Sequence, residues 1–282
     1  MNMHVEALSS SLCLLLIILS HFTTPSISAL ESFIFVGCSQ LRYDVGTPYE
    51  SNVNSVLSSL VNSASFSNFN NFKISVPGST PSDVVYGLFQ CRGDLSNSDC
   101  HECVVNAVSR LGSTCVGASG GALQLEGCFV RYDNTSFLGV QDKGVVFSKC
   151  GPSVGSDPDM WTRRDGVLSY LTAGGQYFRV GGSGQIQGMV QCVQDLSMSE
   201  CQDCASEAIQ RLKSECASSA WGDMFLGKCY ARYSERGYSS KSGNDEEVEK
   251  TLAILIGLIA GVAILIVFLA FLSKLFEGKG GK

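Results

Sequence analysis

Histidine is almost missing from this 282-residue chain: there are three, His4, His21 and His101. The first two fall in an apolar leader, which leaves His101 as the one imidazole of the mature protein. Catalysis of the Ser-His-Asp or Cys-His kind needs a positioned imidazole beside a free nucleophile. The place matching His101 in a second copy of the domain is Gln202, so His101 reads as a solvated helix residue. Cationic excess is missing as well. Lys plus Arg number 20 against 26 Asp plus Glu, a net charge of −6, with no basic patch of the kind that grips a phosphate backbone. Nucleic acid is therefore excluded as a partner. There is no glycine-rich phosphate loop and no cluster of metal ligands, so neither cofactor nor metal is expected, and the protein does not read as an enzyme. Carboxylate pairs for glycoside hydrolysis are the one arrangement a linear sequence leaves open, because their separation is spatial.

Long apolar runs are also few, and each has an address. Leu12 to Leu19 is too short to span a bilayer and is followed by Ser26, Ser28 and Ala29. Residues 1–29 read as a secretory signal peptide, although Glu6 and the lack of Lys or Arg make its start atypical. The second run, 252–272, has no charge. At about 1.5 Å per residue it covers a hydrocarbon core of about 30 Å as one transmembrane helix. Lys274, Lys279 and Lys282 follow it, while only Lys250 closely precedes it, so the C-terminus is expected in the cytoplasm. Residues 241–251 read as a polar stalk and 273–282 as a short cytoplasmic tail. Gly257 and Gly261, spaced as small-xxx-small, offer a face for helix packing and self-association.

What is plentiful is cysteine. Of 13, Cys13 leaves with the signal peptide. Cys38, Cys91, Cys100, Cys103, Cys115 and Cys128 are spaced 53, 9, 3, 12 and 13 apart. Cys150, Cys192, Cys201, Cys204, Cys216 and Cys229 are spaced 42, 9, 3, 12 and 13 apart. An offset of 101 superposes Gly87–Tyr132 on the second copy without a gap, with 19 of 46 residues identical. The chain is a duplication. Six cysteines per copy in an oxidising compartment read as three disulfides. Cys100-x2-Cys103 and Cys201-x2-Cys204 have zinc-like or thioredoxin-like spacing, but the secretory address argues against both. Spacing leaves 15 connectivities open for each copy.

In the first copy Val53, Val56, Leu57, Leu60 and Val61 follow helical spacing, and Ser98 is placed to cap a second helix carrying Cys103, Val104, Ala107, Val108 and Leu111. Strand-like stretches are 72–76, 84–91 and 122–132, with 63–72 as a loop insertion. The second copy repeats the order: a helix through Trp161, Val167, Leu168 and Leu171, strands at 177–180, 186–192 and 224–233, and a helix through Cys204, Ala205, Ala208, Ile209 and Leu212. This is an α+β reading, with helices covering one face of an antiparallel sheet. The first domain is 30–140 and the second 141–240. The connection is short, so the two should pack closely. Asp94 and Asp195 read as turn residues. Arg131 and Arg232 are expected to pair with carboxylates or backbone within the fold. Asn134-Thr135-Ser136 is an N-glycosylation sequon on an expected surface.

Gln90-Cys91, Cys100-x2-Cys103 and Cys128-x2-Arg131-Tyr132 resemble the plant stress-antifungal, or ginkbilobin-homologous, domain (domain of unknown function 26). Two copies, one span and a short tail resemble the plasmodesmata-located proteins. The cysteine-rich receptor-like kinases share the ectodomain, but a ten-residue tail leaves no room for a kinase. The resemblance implies two tandem disulfide-rich domains, each a sheet of about five strands cradling two helices. It also implies the pairs Cys38–Cys115, Cys91–Cys100, Cys103–Cys128, Cys150–Cys216, Cys192–Cys201 and Cys204–Cys229. By the same resemblance the protein sits at plasmodesmata and modulates cell-to-cell traffic through callose deposition. Its implied partners are other plasmodesmal membrane proteins and viral movement proteins. A glycan-binding or defence co-receptor role is the alternative, with cell-wall carbohydrate as ligand. The sugar contacts of mannose-binding relatives would fall on Ser39, Ala122 and Asp133, and on Gly151, Asp223 and Ser234. Only Asp133 keeps the chemistry.

Overall fold

The computed structural model describes residues 29–155 and 158–236. Residues 1–28 of the expected signal peptide lie outside it, as do the stalk, the 252–272 span with Gly257 and Gly261, and the tail. Among the described residues no helix is long and apolar enough to cross a membrane.

The first domain runs β1 (Phe33–Cys38), α1 (Pro48–Ala64), β2 (Phe69–Ile74), β3 (Val85–Cys91), α2 (Asn97–Thr114), β4 (Gly120–Leu125) and β5 (Cys128–Asp133). The second repeats it as β6 (Val145–Cys150), α3 (Pro158–Thr172), β7 (Phe178–Ser183), β8 (Ile186–Cys192), α4 (Met198–Glu215), β9 (Trp221–Leu226) and β10 (Cys229–Glu235). Each sheet is antiparallel, ordered β1-β4-β5-β3-β2 and β6-β9-β10-β8-β7. The α+β reading with helices on one face therefore holds in both copies.

Local chemistry explains the boundaries. The side chain of Thr47 accepts from the Glu50 amide and Pro48 opens α1 with its φ already set. α2 starts earlier than the sequence suggested. Ser96, extended at φ −69° and ψ 160°, accepts from the Asp99 amide, so the cap is Ser96 and not Ser98. The apparent single strand over 122–132 is a hairpin that turns at Glu126-Gly127. The supposed loop at 63–72 is mostly used up by the end of α1 and the start of β2.

Strand alternation assigns the faces. Val85, Phe89, Cys91, Leu123, Leu125, Val130 and Tyr132 point at the helices and are buried with Val53, Val56, Leu60, Val104, Ala107 and Leu111. The same pattern builds the second core around Val167, Leu168, Ile186, Val190, Ile209, Leu212 and Met224. Six disulfides brace the two domains: Cys38–Cys115, Cys91–Cys100, Cys103–Cys128, Cys150–Cys216, Cys192–Cys201 and Cys204–Cys229, with Cys38 and Cys150 at the surface. The cysteines of Cys100-x2-Cys103 and Cys201-x2-Cys204 thus face sulfur rather than metal.

Gly87 opens the shared window because α1 lies directly on β3: a Cβ there would collide with Val56 Cγ1. Gly87→Ala should therefore cost about 1–3 kcal/mol by overpacking, read as a lower urea midpoint at constant slope. An unchanged midpoint would mean that α1 is free to move off the sheet.

The α4 cap has a pH signature. Glu200 accepts from the Ser197 hydroxyl and amide at 2.6 and 2.9 Å, and these bonds hold its carboxyl below the usual value. A lowered folded pKa means the support is complete above the unfolded value and is lost as pH falls through the folded one. Amide exchange in the first turn of α4, corrected for intrinsic rates, should rise on acidification below the ordinary carboxylate range. Glu200→Gln should abolish that step while keeping a capping box.

Candidate functional site: the seam between the two domains

The helix-free face of each sheet still carries apolar side chains, and covering them brings the domains together. The described residues all fall in one compact unit. Phe35 of β1 and its counterpart Phe147 of β6 stack at 6.4 Å between ring centres. Phe225 meets both edge-on at 6.0 Å. Leu88, Phe129, Phe137 and Val193 close a small apolar cluster in which Val193 comes from the second domain. Phe137 belongs to the connection between the domains, so the linker itself is part of the core.

Polar bonds cross the seam beside the aromatics. The duplicated glutamines Gln90 and Gln191 reach over it: Gln191 Nε2 donates to Cys91 O at 2.8 Å, and Gln90 Oε1 accepts from the Gln194 amide at 3.0 Å. Tyr230 Oη donates to Gln191 Oε1 at 3.1 Å. A narrow cleft runs along the seam, lined among others by Phe35, Gln90, Arg92, Gln124, Glu126 and Tyr230. The amide groups facing it are largely engaged with each other and with backbone, which makes it a structural joint.

The duplicated arginines are anchored in matching ways by different carboxylates. Arg232 bonds Asp223 in its own domain, Nε to Oδ1 at 2.6 Å, and grips Glu126 of the first domain with both terminal nitrogens. Burial alone would lower the Arg232 guanidinium, but the charge of Asp223 and the bonds of Glu126 outweigh it and raise it. Burial pushes the Asp223 carboxyl up against the pull of Arg232. In the other half Arg131 lies 3.6 Å from Asp133 and 3.9 Å from Asp142, with its guanidinium 4.3 Å from the Phe137 ring centre. The residue matching Glu126 is Gly227, and the Asp142 carboxylate occupies the space a side chain would need there. The linker supplies the acid that the second turn lacks. Arg131 and Arg232 do pair with carboxylates, as the sequence suggested, but Glu126 and Asp142 lie outside their own sheets.

Asp195 is more than a turn residue. It pairs with Lys228, the two side chains being 3% and 2% exposed, and its Oδ2 accepts from the Gly139 amide of the linker at 2.9 Å. Burial lowers the Lys228 amine, while the bond and charge of Asp195 act against that. Lys228 Nζ also lies 5.2 Å from the Phe137 ring centre, so Phe137 is contacted by a cation from each domain. Its copy Asp94 is a surface residue paired with Arg92. His101 is only partly exposed and its Nδ1 is enclosed. The Cys91–Cys100 bridge draws that helical turn against the sheet, which the sequence did not reveal.

The six sugar-contact places are occupied by fold interactions. Ser39 Oγ is 3.1 Å from Ser119 Oγ, Ala122 faces Arg131 across the ladder, and Asp133 is held by Arg131. Gly151 lies under the Trp221 indole, Asp223 is engaged by Arg232, and Ser234 pairs with Trp221. Asn134 is exposed just beyond β5.

The salt stress response/antifungal family model matches residues 37–135 and 159–236. The crystal structures of the tandem DUF26 ectodomains of the Arabidopsis thaliana cysteine-rich receptor-like proteins PDLP5 and PDLP8 superpose with TM-scores of 0.69 and 0.70. They are 45% and 42% identical to this chain, which is covered to 73% while those chains are covered completely. The fold is thus that of a tandem DUF26 module. Plasmodesmata-located protein 6 of Arabidopsis thaliana is 57% identical, with 95% of this chain and 98% of that protein aligned. Plasmodesmata-located protein 7 is 56% identical over 92% and 89%. The chain belongs to the plasmodesmata-located protein family.

Proposed function

We propose that this is a non-enzymatic, type I membrane protein of plasmodesmata that modulates cell-to-cell trafficking, promoting callose deposition by scaffolding other membrane or wall proteins. The observation that carries the reading is the 57% identity to plasmodesmata-located protein 6 across 95% of the chain. The seam supports it physically. Two disulfide-braced domains locked by aromatics, glutamines and ion pairs make a stiff outer module suited to holding partners in fixed geometry. The 252–272 span would hold it in the plasma membrane with the module facing the wall and the tail in the cytoplasm.

The test is imaging of the tagged full chain together with callose staining and dye movement between cells. Puncta coincident with callose, and slower dye spread on overexpression, are expected. A uniform plasma-membrane signal with unchanged dye spread would overturn the proposal.

A further inference from the structure

We infer that Asn134 carries an N-linked oligosaccharide, and that this glycan marks the outer end of the first domain as a face that no protein partner covers. The sequon Asn134-Thr135-Ser136 forms a three-residue arch in which every residue is exposed. The arch is pinned at both ends. Asp133 closes β5 and accepts from the Thr135 amide at 3.0 Å, and Phe137 is buried in the seam cluster. The acceptor residue therefore stands exposed on a fixed base, its side-chain Oδ1 accepting from the Thr135 hydroxyl at 3.3 Å.

Three observations separate this site from a chance motif. The six described disulfides place the domain in an oxidising secretory route, where the transferring enzyme works. The arch is a loop in the first domain only: β5 stops at Asp133, whereas β10 runs on to Glu235 at the place matching Asn134. Finally, the seam turn Glu126-Gly127 lies at the opposite end of β5. At about 3.3 Å per residue that is on the order of 20 Å away, so a bulky sugar leaves the Glu126–Arg232 pair at that turn undisturbed.

The donor is a lipid pyrophosphate-linked oligosaccharide. Asn134 Nδ2 forms a bond to the sugar C1, the C1–O bond to phosphate breaks, and the lipid pyrophosphate leaves with that electron pair. The amide proton passes to a base of the transferase. The glycan then projects beside the two loops that carry Ser39 and Ser119, at the end of the sheet where the Ser39 amide donates to Gly120 O and Gly120 pairs with Asp133.

The test is mass spectrometry of the tagged full chain from plant cells, digested and treated with peptide-N-glycosidase A in heavy-oxygen water. Release of the sugar converts the asparagine to an aspartate that carries one heavy oxygen, so the peptide containing Asn134 should show that mass gain. Gel mobility should show one discrete step. Asn134→Gln and Ser136→Ala should each remove the step, while Thr135→Ala, at the variable place of the sequon, should keep it. Hydrogen exchange over 39–46 and 116–119 should be slower in the glycosylated protein than in N134Q. An unmodified Asn134 peptide as the dominant form would overturn the site. Equal exchange in the two forms would overturn the placement of the glycan over that end.

Discussion

Asp195→Ala is expected to lower stability by about 3–5 kcal/mol, the cost of leaving one partner of a buried pair uncompensated. For a protein of this size that corresponds to a fall in Tm of roughly 10 °C. Lys228 is 2% exposed. Without Asp195 its amine must either stay charged in an apolar setting beside Phe137 or give up its proton. Both cost free energy, and burial already lowers its pKa with Asp195 in place. The linker suffers too, because the Gly139 amide loses its acceptor. The loss should therefore show first as faster amide exchange in 137–143. Adding Lys228→Met should restore most of the stability, since removing both charges is often neutral. Calorimetry of the single and double variants decides the matter. A single-variant loss below about 1 kcal/mol would mean that the pair is solvated and the linker is held by other contacts. Asp94→Ala, at the matching exposed place, should sit within about 0.5 kcal/mol of the parent.

The second large effect belongs to the longest disulfide loop. Cys38 and Cys115 are 77 residues apart and join β1 to the residue that caps the end of α2. Chain-entropy arguments give about 4.5 kcal/mol for a loop of that length, about 3.5 for the 25-residue separation of Cys103–Cys128, and about 2.6 for the 9-residue separation of Cys91–Cys100. Alanine is the right replacement, because Cys115, Cys103, Cys128, Cys91 and Cys100 lie in the core, where serine would add an unpaired hydroxyl, while Cys38 is exposed. Paired Cys→Ala variants should rank in that order by urea midpoint. The reverse order would place the stabilisation in local packing rather than in restriction of the unfolded chain.

Much of the architecture could be read from residues alone, because it rests on local rules. Spacing of identical cysteines exposed the duplication. Helical periodicity places Val53, Val56 and Leu60 on one stripe, and the strand-like stretches 84–91 and 186–192 match β3 and β8 closely. Charge and hydropathy marked out the two terminal segments, which lie outside the described residues. Even here, small local signals are ambiguous. Ser96 and Ser98 are both good cap residues, and only the backbone angles at Ser96 separate them. Glu126-Gly127 turns a hairpin because two residues suffice for antiparallel strands, a point that an unbroken alternation conceals.

The seam was not legible, and the reason is physical. Alternation assigns a side chain to a face but does not say what covers that face. Gln90, Phe129, Arg131 and Arg232 look like residues of a solvated sheet surface until the second sheet is laid against the first. The differences between copies were the available clue. Glu126 against Gly227, and Gly127 against Lys228, fall in the same turn, where pairing across the joint demands asymmetric partners. The sequence by itself determined the duplication and its two sets of six cysteines, because residue identity and spacing need no fold. The tertiary structure alone decided that Arg232 and the linker aromatic Phe137 hold two domains together, because Arg232–Glu126 and Phe137–Lys228 join residues 106 and 91 positions apart.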